Sequence, residues 1–244
     1  MGIASDDRFY DHKVISDVVA YFQKTGAEIV ACKRLFVQEG TEKILNTMPF
    51  PNQIKWMQRL DNNQLFQKLS SFCFLSGANT YYTKALYQKM GGYDLDYMYM
   101  EDYPFFLKLY RTENKIFFFD RLSIKYRYGA GASTSPHKSN VFRVRMYGDR
   151  IRYMRKDIIP YMDNFPYFRK EQMKVRLRRF EIENSNHGSS VIRTYARLLL
   201  FSPIGTVIQI WYQGMYQIRI RIRKNAMLDN KKCRGNDYEF KDIQ

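Results

Sequence analysis

Residues 11–128 alternate between helical and strand-like hydrophobic patterns, and this alternation constrains the fold more than any other feature. A helix is predicted over residues 11–24, where apolar residues recur four apart and Gly26 follows as a stop. Three β-rich runs predict strands: residues 28–37, 115–120 and 122–128. Helices and strands that alternate along one chain are typical of an α/β layer. We therefore expect an α/β fold.

The segment between the first two predicted strands contains two further short helices. Thr83 is placed to cap one of them, and Gly91-Gly92 to end it. Pro104 favours the first turn of the other, which is predicted over residues 103–111. The run "FCFLSGANTYY" predicts a strand interrupted at Ser76-Gly77. Residues 40–71 have a mixed pattern broken by prolines and are predicted to be a connecting segment.

The charge of the chain is unevenly distributed along the sequence. Residues 1–140 hold 18 Lys/Arg against 14 Asp/Glu, whereas residues 141–244 hold 22 against 10. Such a basic surplus attracts polyanions, among them nucleic acid, anionic membranes and phosphorylated substrates. We place a boundary near residue 140, with a domain over 1–140 followed by a basic helical region over 141–190.

The three cysteines and the N-terminal residues indicate a reducing compartment. Cys32, Cys73 and Cys233 are odd in number and far apart, which predicts neither a disulfide framework nor a zinc site. The start of the sequence lacks the basic and apolar regions of a secretory signal. We expect a cytoplasmic location.

Two pairs of adjacent acidic residues are the candidate chemical groups, Asp6-Asp7 ahead of the first helix and Glu101-Asp102 at the start of a later one. Adjacent carboxylates after a strand can bind Mg²⁺ or Mn²⁺, which completes its coordination with water and substrate phosphate. A carboxylate within reach of a sugar hydroxyl can act as a general base. Acidic residues also favour helix starts in any protein, so a structural role explains each pair when it is taken alone.

Three segments in this order resemble the latter part of the GT-A catalytic domain of family 2 inverting glycosyltransferases: "IASDDRFYD", "FLSGANTYYTKALYQKMGGYDLDYMYMEDYPFFLKL" and "IKYRYGAGAST". The resemblance covers residues 3–135 and is to members that build bacterial surface polysaccharides. It implies a partial GT-A mixed sheet with a helical, basic C-terminal extension. It also implies inverting transfer of a sugar from a nucleotide-diphosphate donor, a UDP-sugar, to a lipid-linked or polysaccharide acceptor.

The resemblance assigns roles to individual residues. Asp7 is implied to bind Mg²⁺ or Mn²⁺, and Asp6 to contact the nucleotide or the metal. Asp102 is implied to deprotonate the acceptor hydroxyl, with Glu101 in support. Four further residues are implied to bind substrate: Gly77, Ala78, Asn79 and Arg127. Ser5 departs from the family pattern, because many members carry another acid there.

The nucleotide-binding half of such a domain precedes its metal motif. At about 30 residues per strand-helix unit, two or three units require roughly 60 to 90 residues, whereas five residues precede Asp6. We therefore expect transfer to require an N-terminal half that this sequence does not contain. Either the sequence is a truncated product, or a partner chain supplies the missing half.

Residues 198–218 carry no charge and are flanked by arginines. With Ser202 as cap and Pro203 as the first helical residue, the glutamines face away from one apolar stripe: Ile204, Val207, Ile208, Trp211, Met215, Ile218 and Ile222. Because 21 residues only just reach the roughly 20 needed to span a bilayer, spanning is disfavoured. We expect an amphipathic helix within 191–224, either at the inner, anionic face of the plasma membrane or packed on the catalytic domain. Residues 225–244 form a polar tail.

Two alternatives to a transferase remain at the level of sequence. Residues 141–180 hold 12 Lys/Arg against 4 acids, which would suit a nucleic-acid-binding module that tracks phosphates. No recognition motif accompanies them, so we expect no nucleic-acid partner. The other alternative is a non-catalytic scaffold.

Overall fold

The structure, a computed structural model, describes residues 2, 7–41, 43–112, 114–129, 139–185 and 191–215. The chain divides into two compact units. The first comprises residues 1–165 and 180–188, and the second comprises residues 166–179 and 189–244. The first unit thus continues past residue 140, where the sequence changes in composition.

The first unit contains a five-stranded mixed sheet. Its strands are β1 (Arg8–Phe9), β2 (Ile29–Gln38), β3 (Ile44–Met48), β4 (Thr80–Tyr82) and β5 (Phe117–Tyr128). The order is β1-β5-β2-β3, and β4 pairs with β2. β5 runs parallel to β2, while the other three strands are antiparallel to their neighbours. The α/β class with a mixed sheet is confirmed.

The helices of the described residues follow in chain order. They are α1 (Val14–Thr25), α2 (Pro51–Arg59), α3 (Asn62–Ser71), α4 (Lys84–Lys89), α5 (Asp102–Arg111), α6 (Asn140–Tyr153), α7 (Tyr167–Ser185), α8 (Val191–Phe201) and α9 (203–215). Three shorter turns complete them: a 3₁₀ turn at Gly77–Asn79, a π-helical turn at Met154–Ile158 and a 3₁₀ turn at Ile159–Tyr161.

The helix signals of the sequence are confirmed where they are local. Gly26 ends α1 in a left-handed conformation with φ of 64°, which glycine adopts without the cost of a Cβ clash. Thr83 caps α4, because its Oγ1 accepts the N–H of Leu86 at 3.1 Å. The predicted helix after Glu101 begins at Asp102 and has Pro104 in its first turn.

Two predictions about the middle of the chain are wrong. Residues 40–71 are not only a connection, since they form β3, α2 and α3. The predicted strand around "FCFLSGANTYY" is confined to β4, because residues 72–76 have no regular structure and the 3₁₀ turn follows them. Capping explains part of the first result: the Asp61 carboxylate accepts the N–H of Gln64 at 2.7 Å and starts α3.

The two strands predicted on either side of Arg121 are one strand, β5, whose pairing with β2 shifts register at that point. Ala31 pairs with Phe118 and Lys33 with Leu122, so β5 carries extra residues there. Arg121 lies in this bulge and binds both carboxylate oxygens of Asp11, at 2.6 and 2.7 Å. The break in the hydrophobic pattern therefore marks a bulge rather than a strand end.

Helix α1 packs on the sheet through an apolar cluster. Val14 and Val18 are buried against Val30, Cys32 and Tyr81. Each buried valine of such a cluster contributes about 1.5–3 kcal/mol relative to an exposed one. This cluster fixes β2, the strand on which the candidate site depends.

The second unit consists of helical segments in its described part. Ser202 separates α8 from α9 and caps α9, since its Oγ accepts the N–H of Gly205 at 3.1 Å. This confirms the predicted cap. Tyr195 of α8 donates a hydrogen bond to Gln213 of α9 at 2.6 Å. None of the helices within the described ranges is both long and apolar enough to cross a membrane.

At Gly205, α9 lies close to α7. A Cβ on Gly205 would lie 2.7 Å from Val175 Cγ2 and 3.0 Å from the carbonyl oxygen of Glu171. A Cβ on Gly214 of the same helix would meet nothing within 4 Å. The two glycines therefore differ in packing although they share one helix.

We expect Gly205→Ala to lower the free energy of unfolding by about 1–3 kcal/mol through overpacking. Gly214→Ala is the matched control, and it should raise stability by up to about 1 kcal/mol through helix propensity. Urea denaturation followed by circular dichroism measures both. Equal effects of the two substitutions would contradict the packing of α9 on α7.

Candidate active site

Asp102 lies at the first residue of α5, and its carboxylate faces the glycine turn. Its Oδ2 accepts the N–H of Gly77 at 2.8 Å. Ser76 shapes this turn, because its Oγ accepts the N–H of Ala78 at 3.4 Å. The predicted base and the predicted substrate-binding turn are therefore adjacent.

The environment of Asp102 favours its protonated form. Burial raises the pKa of the Asp102 carboxyl above its usual range, and the N–H of Gly77 and the charge of Arg34 act in the opposite direction. Burial also raises the pKa of Glu101, and the negative charges of Asp102 and Asp149 add to that effect. A carboxylate with a raised pKa is a stronger base, as general base catalysis near neutral pH requires.

Arg34, on β2, is a buried cation next to this carboxylate. The residue is 8% exposed. Its Nη1 donates to Asn79 Oδ1 at 3.3 Å. Its guanidinium lies 5.2 Å from the ring centroid of Phe36 and 5.7 Å from that of Tyr126. The Nε of Arg34 has no hydrogen-bond partner in the described part of the chain.

The two predicted acidic sites both act on Arg34. Burial lowers the pKa of its guanidinium, and four neighbours oppose this effect: Cys73, Tyr126, Asp102 and Asp7. The charges of Asp7 and Asp102, which are far apart in the sequence, therefore both raise the pKa of this guanidinium. Arg34 was not predicted from the sequence, although a charge inside the apolar run "AEIVACKRLFV" was the available signal.

The position of Asp7 follows from the pairing of the strands in the sheet. Phe9 of β1 and Arg34 of β2 both pair with Ile124 of β5, on its two sides. Asp7 is 8% exposed, and its Oδ1 accepts the N–H of Arg127 at 3.3 Å. The strand order therefore leaves one strand, β5, between β1, which follows Asp7, and β2, which carries Arg34.

The other predicted site residues have different surroundings. Asn79 is buried and donates to the carbonyl oxygen of Cys32, so it joins the turn to β2. Ala78 is also buried. The Arg127 side chain forms an ion pair with Glu39 at 3.2 Å and is half exposed. Asp6 lies outside the described residues.

Two tyrosine hydroxyls lie beside the Gly77 turn. The hydroxyls of Tyr82 and Tyr93 are 2.9 Å apart. A Cβ on Gly77 would lie 3.4 Å from the Tyr93 hydroxyl and 3.5 Å from Asp102 Cβ. Burial raises the pKa values of both tyrosines, and the charge of Asp102 contributes to each shift. The pair adds neutral hydrogen-bonding groups next to the carboxylate.

A loop over 93–101 leads into Asp102, and Asp149 of α6 holds it. The Asp149 side chain is buried, and its Oδ2 accepts the N–H groups of Met98 and Tyr99 at 3.0 and 2.8 Å. Charged acceptors form the stronger class of hydrogen bond. Asp149 was not predicted from the sequence as a site residue, because a single acid within a basic helix gives no distinctive signal.

The π-helical turn after α6 supplies a second acidic contact. Asp157 accepts the hydroxyl of Tyr97, and its Oδ1 pairs with Arg111 of α5 at 3.4 Å. One residue of the loop and one of α5 are thus bound to the same carboxylate. π-helical turns occur frequently at functional sites.

Several cations of the predicted basic region pair with acids of the same unit. Lys156 pairs with Asp94 and Asp96, and Arg155 pairs with Glu181. These cations line an open depression of ≈ 370 Å³. A nucleic acid binding there would compete with these contacts, so the pairing weakens the electrostatic argument for such a partner.

The residues available for a divalent ion are few. Among the described residues, no three His, Cys, Asp or Glu side chains form a group that could hold a metal. Asp7 offers one carboxylate, the type of ligand that Mg²⁺ uses together with substrate phosphates. The positive charge of Arg34 opposes a cation nearby. The metal role of Asp7 stays a prediction.

The chain matches no protein-family model, and no curated protein or solved structure matches it. The resemblance to family 2 transferases is therefore a prediction that depends on the residues and their geometry.

Asp149→Ala should release the loop before Asp102. We expect a loss of about 1–3 kcal/mol in the free energy of unfolding, because two N–H groups lose a charged acceptor. Hydrogen exchange at the amides of Met98 and Tyr99 should accelerate. Asp120→Ala is the control, since its carboxylate is exposed and pairs with Lys33, and it should cost about 0–1 kcal/mol. Unchanged exchange at both amides would contradict the conclusion that Asp149 holds the loop through these two hydrogen bonds.

Asp102→Asn should stabilise the protein at high pH. Because the pKa of Asp102 is raised in the folded state, the folded protein binds this proton more tightly than the unfolded chain does. Ionisation therefore costs stability as pH rises through the range between the two pKa values, and the cost persists above it. We expect the Asn variant to melt about 2–4 °C higher at pH 8, as a gain near 1 kcal/mol implies.

The gain should disappear toward pH 4, where the wild-type carboxyl becomes protonated. Thermal unfolding at several pH values checks this dependence, with Asp120→Asn as the exposed control. A lower melting temperature for Asp102→Asn at pH 8 would show that attraction to Arg34 outweighs burial.

Proposed function

We propose that the first unit is the latter part of a GT-A glycosyltransferase of the family 2 type. It transfers a sugar from a UDP-sugar to a lipid-linked or polysaccharide acceptor with inversion. The observation that carries the proposal is the 2.8 Å hydrogen bond from the Gly77 N–H to the buried carboxyl of Asp102, which joins the predicted base to the predicted substrate-binding turn.

In the proposed reaction, Asp102 acts on the acceptor. Its carboxylate removes the proton of the acceptor hydroxyl while the hydroxyl oxygen attacks the anomeric carbon. The bond from that carbon to the donor diphosphate breaks, and the nucleoside diphosphate leaves with the bonding electrons. Asp102 then releases the proton to solvent. Glu101, whose pKa is also raised by burial, supports the base through its position beside it.

Three groups of the chain prepare this step. The N–H of Gly77 orients Asp102, and the loop clamp of Asp149 holds the segment that carries it. The positive charge of Arg34 lowers the pKa of Asp102 and so favours the ionised form of its carboxyl, which is the basic form. A Mg²⁺ or Mn²⁺ ion bound at Asp7 would stabilise the charge of the leaving diphosphate.

An N-terminal nucleotide-binding half, in the same polypeptide or in a partner chain, completes the donor site. The enzyme works at the cytoplasmic side of the membrane, where lipid-linked acceptors are found.

The test supplies the chain with an N-terminal nucleotide-binding half, fused or as a partner chain, and measures release of nucleoside diphosphate from a panel of sugar nucleotides, with a bacterial lipid extract as acceptor and Mn²⁺ present. Asp102→Asn should reduce turnover by about 10²- to 10⁴-fold, the usual contribution of a general base. Asp120→Asn should retain wild-type turnover, because that carboxylate is exposed and pairs with Lys33. NMR of the product should show an inverted anomeric centre.

Two results would contradict the proposal. Equal turnover of wild type and Asp102→Asn would show that Asp102 is not the general base. No release of nucleoside diphosphate by the completed wild-type enzyme, with any donor, would favour the non-catalytic scaffold.

A further inference from the structure

The second unit exposes an apolar face that is unusual for a surface helix pair. It comprises Leu200, Phe201, Ile204, Val207, Ile210 and Trp211, each between 46% and 89% exposed. We call these six residues the apolar face. Isolated exposed apolar residues are common, but a contiguous group marks an interaction site.

The inner side of α9 is polar or small, which is the reverse of the usual arrangement. Gly205, Thr206 and Gln209 are the buried residues of the helix. Ser202 Oγ donates to Glu171 of α7 at 3.1 Å, and Gln213 accepts from Tyr195 of α8. Polar contacts therefore hold α9 to its own unit, and its apolar side is left outside.

The apolar face continues along one side of α9. Ile204, Val207 and Trp211 follow the i, i+3, i+7 spacing of a single helical stripe. Val207 is 60% exposed and Trp211 64% exposed. A helix of 13 residues presents this stripe over about 20 Å.

The charges around the apolar face have one sign. Residues 191–224 contain six Lys/Arg and no Asp or Glu, and residues 198–215 contain no charge at all. Arg193 and Arg197 precede the face on α8 and are exposed. A second copy of the chain would bring like charges together, which opposes association. An anionic lipid surface complements both the cations and the apolar side chains.

We infer that the apolar face docks on an anionic lipid bilayer. Helix α9 lies in the plane of the interface, with its apolar stripe among the acyl chains near the headgroups. Trp211 lies at the headgroup level, where its amphipathic ring is favoured, and the arginines contact lipid phosphates. This inference goes beyond the proposed transfer and does not depend on it.

The test is co-flotation of the full chain with vesicles of phosphatidylcholine containing about 30 mol % phosphatidylglycerol, an anionic content in the range of cell membranes. Ile204→Ser/Val207→Ser should lower the partition coefficient at least about tenfold, because two apolar side chains leave the interface. Ile15→Ser/Val19→Ser is the matched control. It makes the same two changes on α1, at positions 47% and 48% exposed, and should bind like wild type.

Fluorescence gives an independent reading of depth. Lipids brominated on their acyl chains should quench the tryptophan emission of the wild-type protein, and Trp211→Phe should remove most of that quenching. Neutral phosphatidylcholine vesicles should bind the chain more weakly than the anionic ones, and high salt should reduce binding to the anionic ones.

Four results would overturn the inference. They are absence of wild-type binding, equal binding to neutral and anionic vesicles, equal losses in the two double variants, and a wild-type dimer that Ile204→Ser/Val207→Ser dissociates without any vesicle binding. The last result would assign the apolar face to a second copy. None of these outcomes bears on turnover by Asp102, so this test and the transferase test fail separately.

Discussion

The candidate site depends on one buried positive charge. Taking a guanidinium out of water costs several kcal/mol unless opposite charges and hydrogen bonds compensate it. Arg34 is compensated by Asp7 and Asp102 through their charges, by Asn79 through a hydrogen bond, and by neighbouring rings. The carboxyl of Asp102 is itself buried, which raises its pKa, and the charge of Arg34 offsets only part of that effect.

The segment that follows the sheet also contributes to the site through pairing of opposite charges and charged hydrogen bonds. Its composition is basic, yet its contribution to the site comes from two acids, Asp149 and Asp157, which bind the loop before α5. Lys156 is bound to carboxylates of that loop. The basic surplus thus serves partly to fix an acidic loop, which accounts for the first unit continuing past residue 140. Net charge by itself did not reveal this pairing.

The two units use apolar residues in opposite ways. In the first unit, Val14 and Val18 of α1 turn inward and build a core. In the second, Val207 and Trp211 of α9 turn outward, while Gly205 and Gln209 make the internal contacts. Exposing this apolar stripe to water is unfavourable, and burying it in an interface removes that cost.

The sequence by itself determined the local elements: the stop at Gly26, the caps at Thr83 and Ser202, and the start of α5 at Asp102. These depend on backbone conformation and hydrogen bonds within a few residues, so their signals are local. It also predicted that the α9 stripe exists. Only the tertiary structure decided which side of α9 faces inward, because a Cβ-free residue at Gly205 lets α7 approach the polar side. Only the tertiary structure brought Arg34 within electrostatic range of Asp7 and Asp102, since strand order and register join residues that no short-range pattern connects.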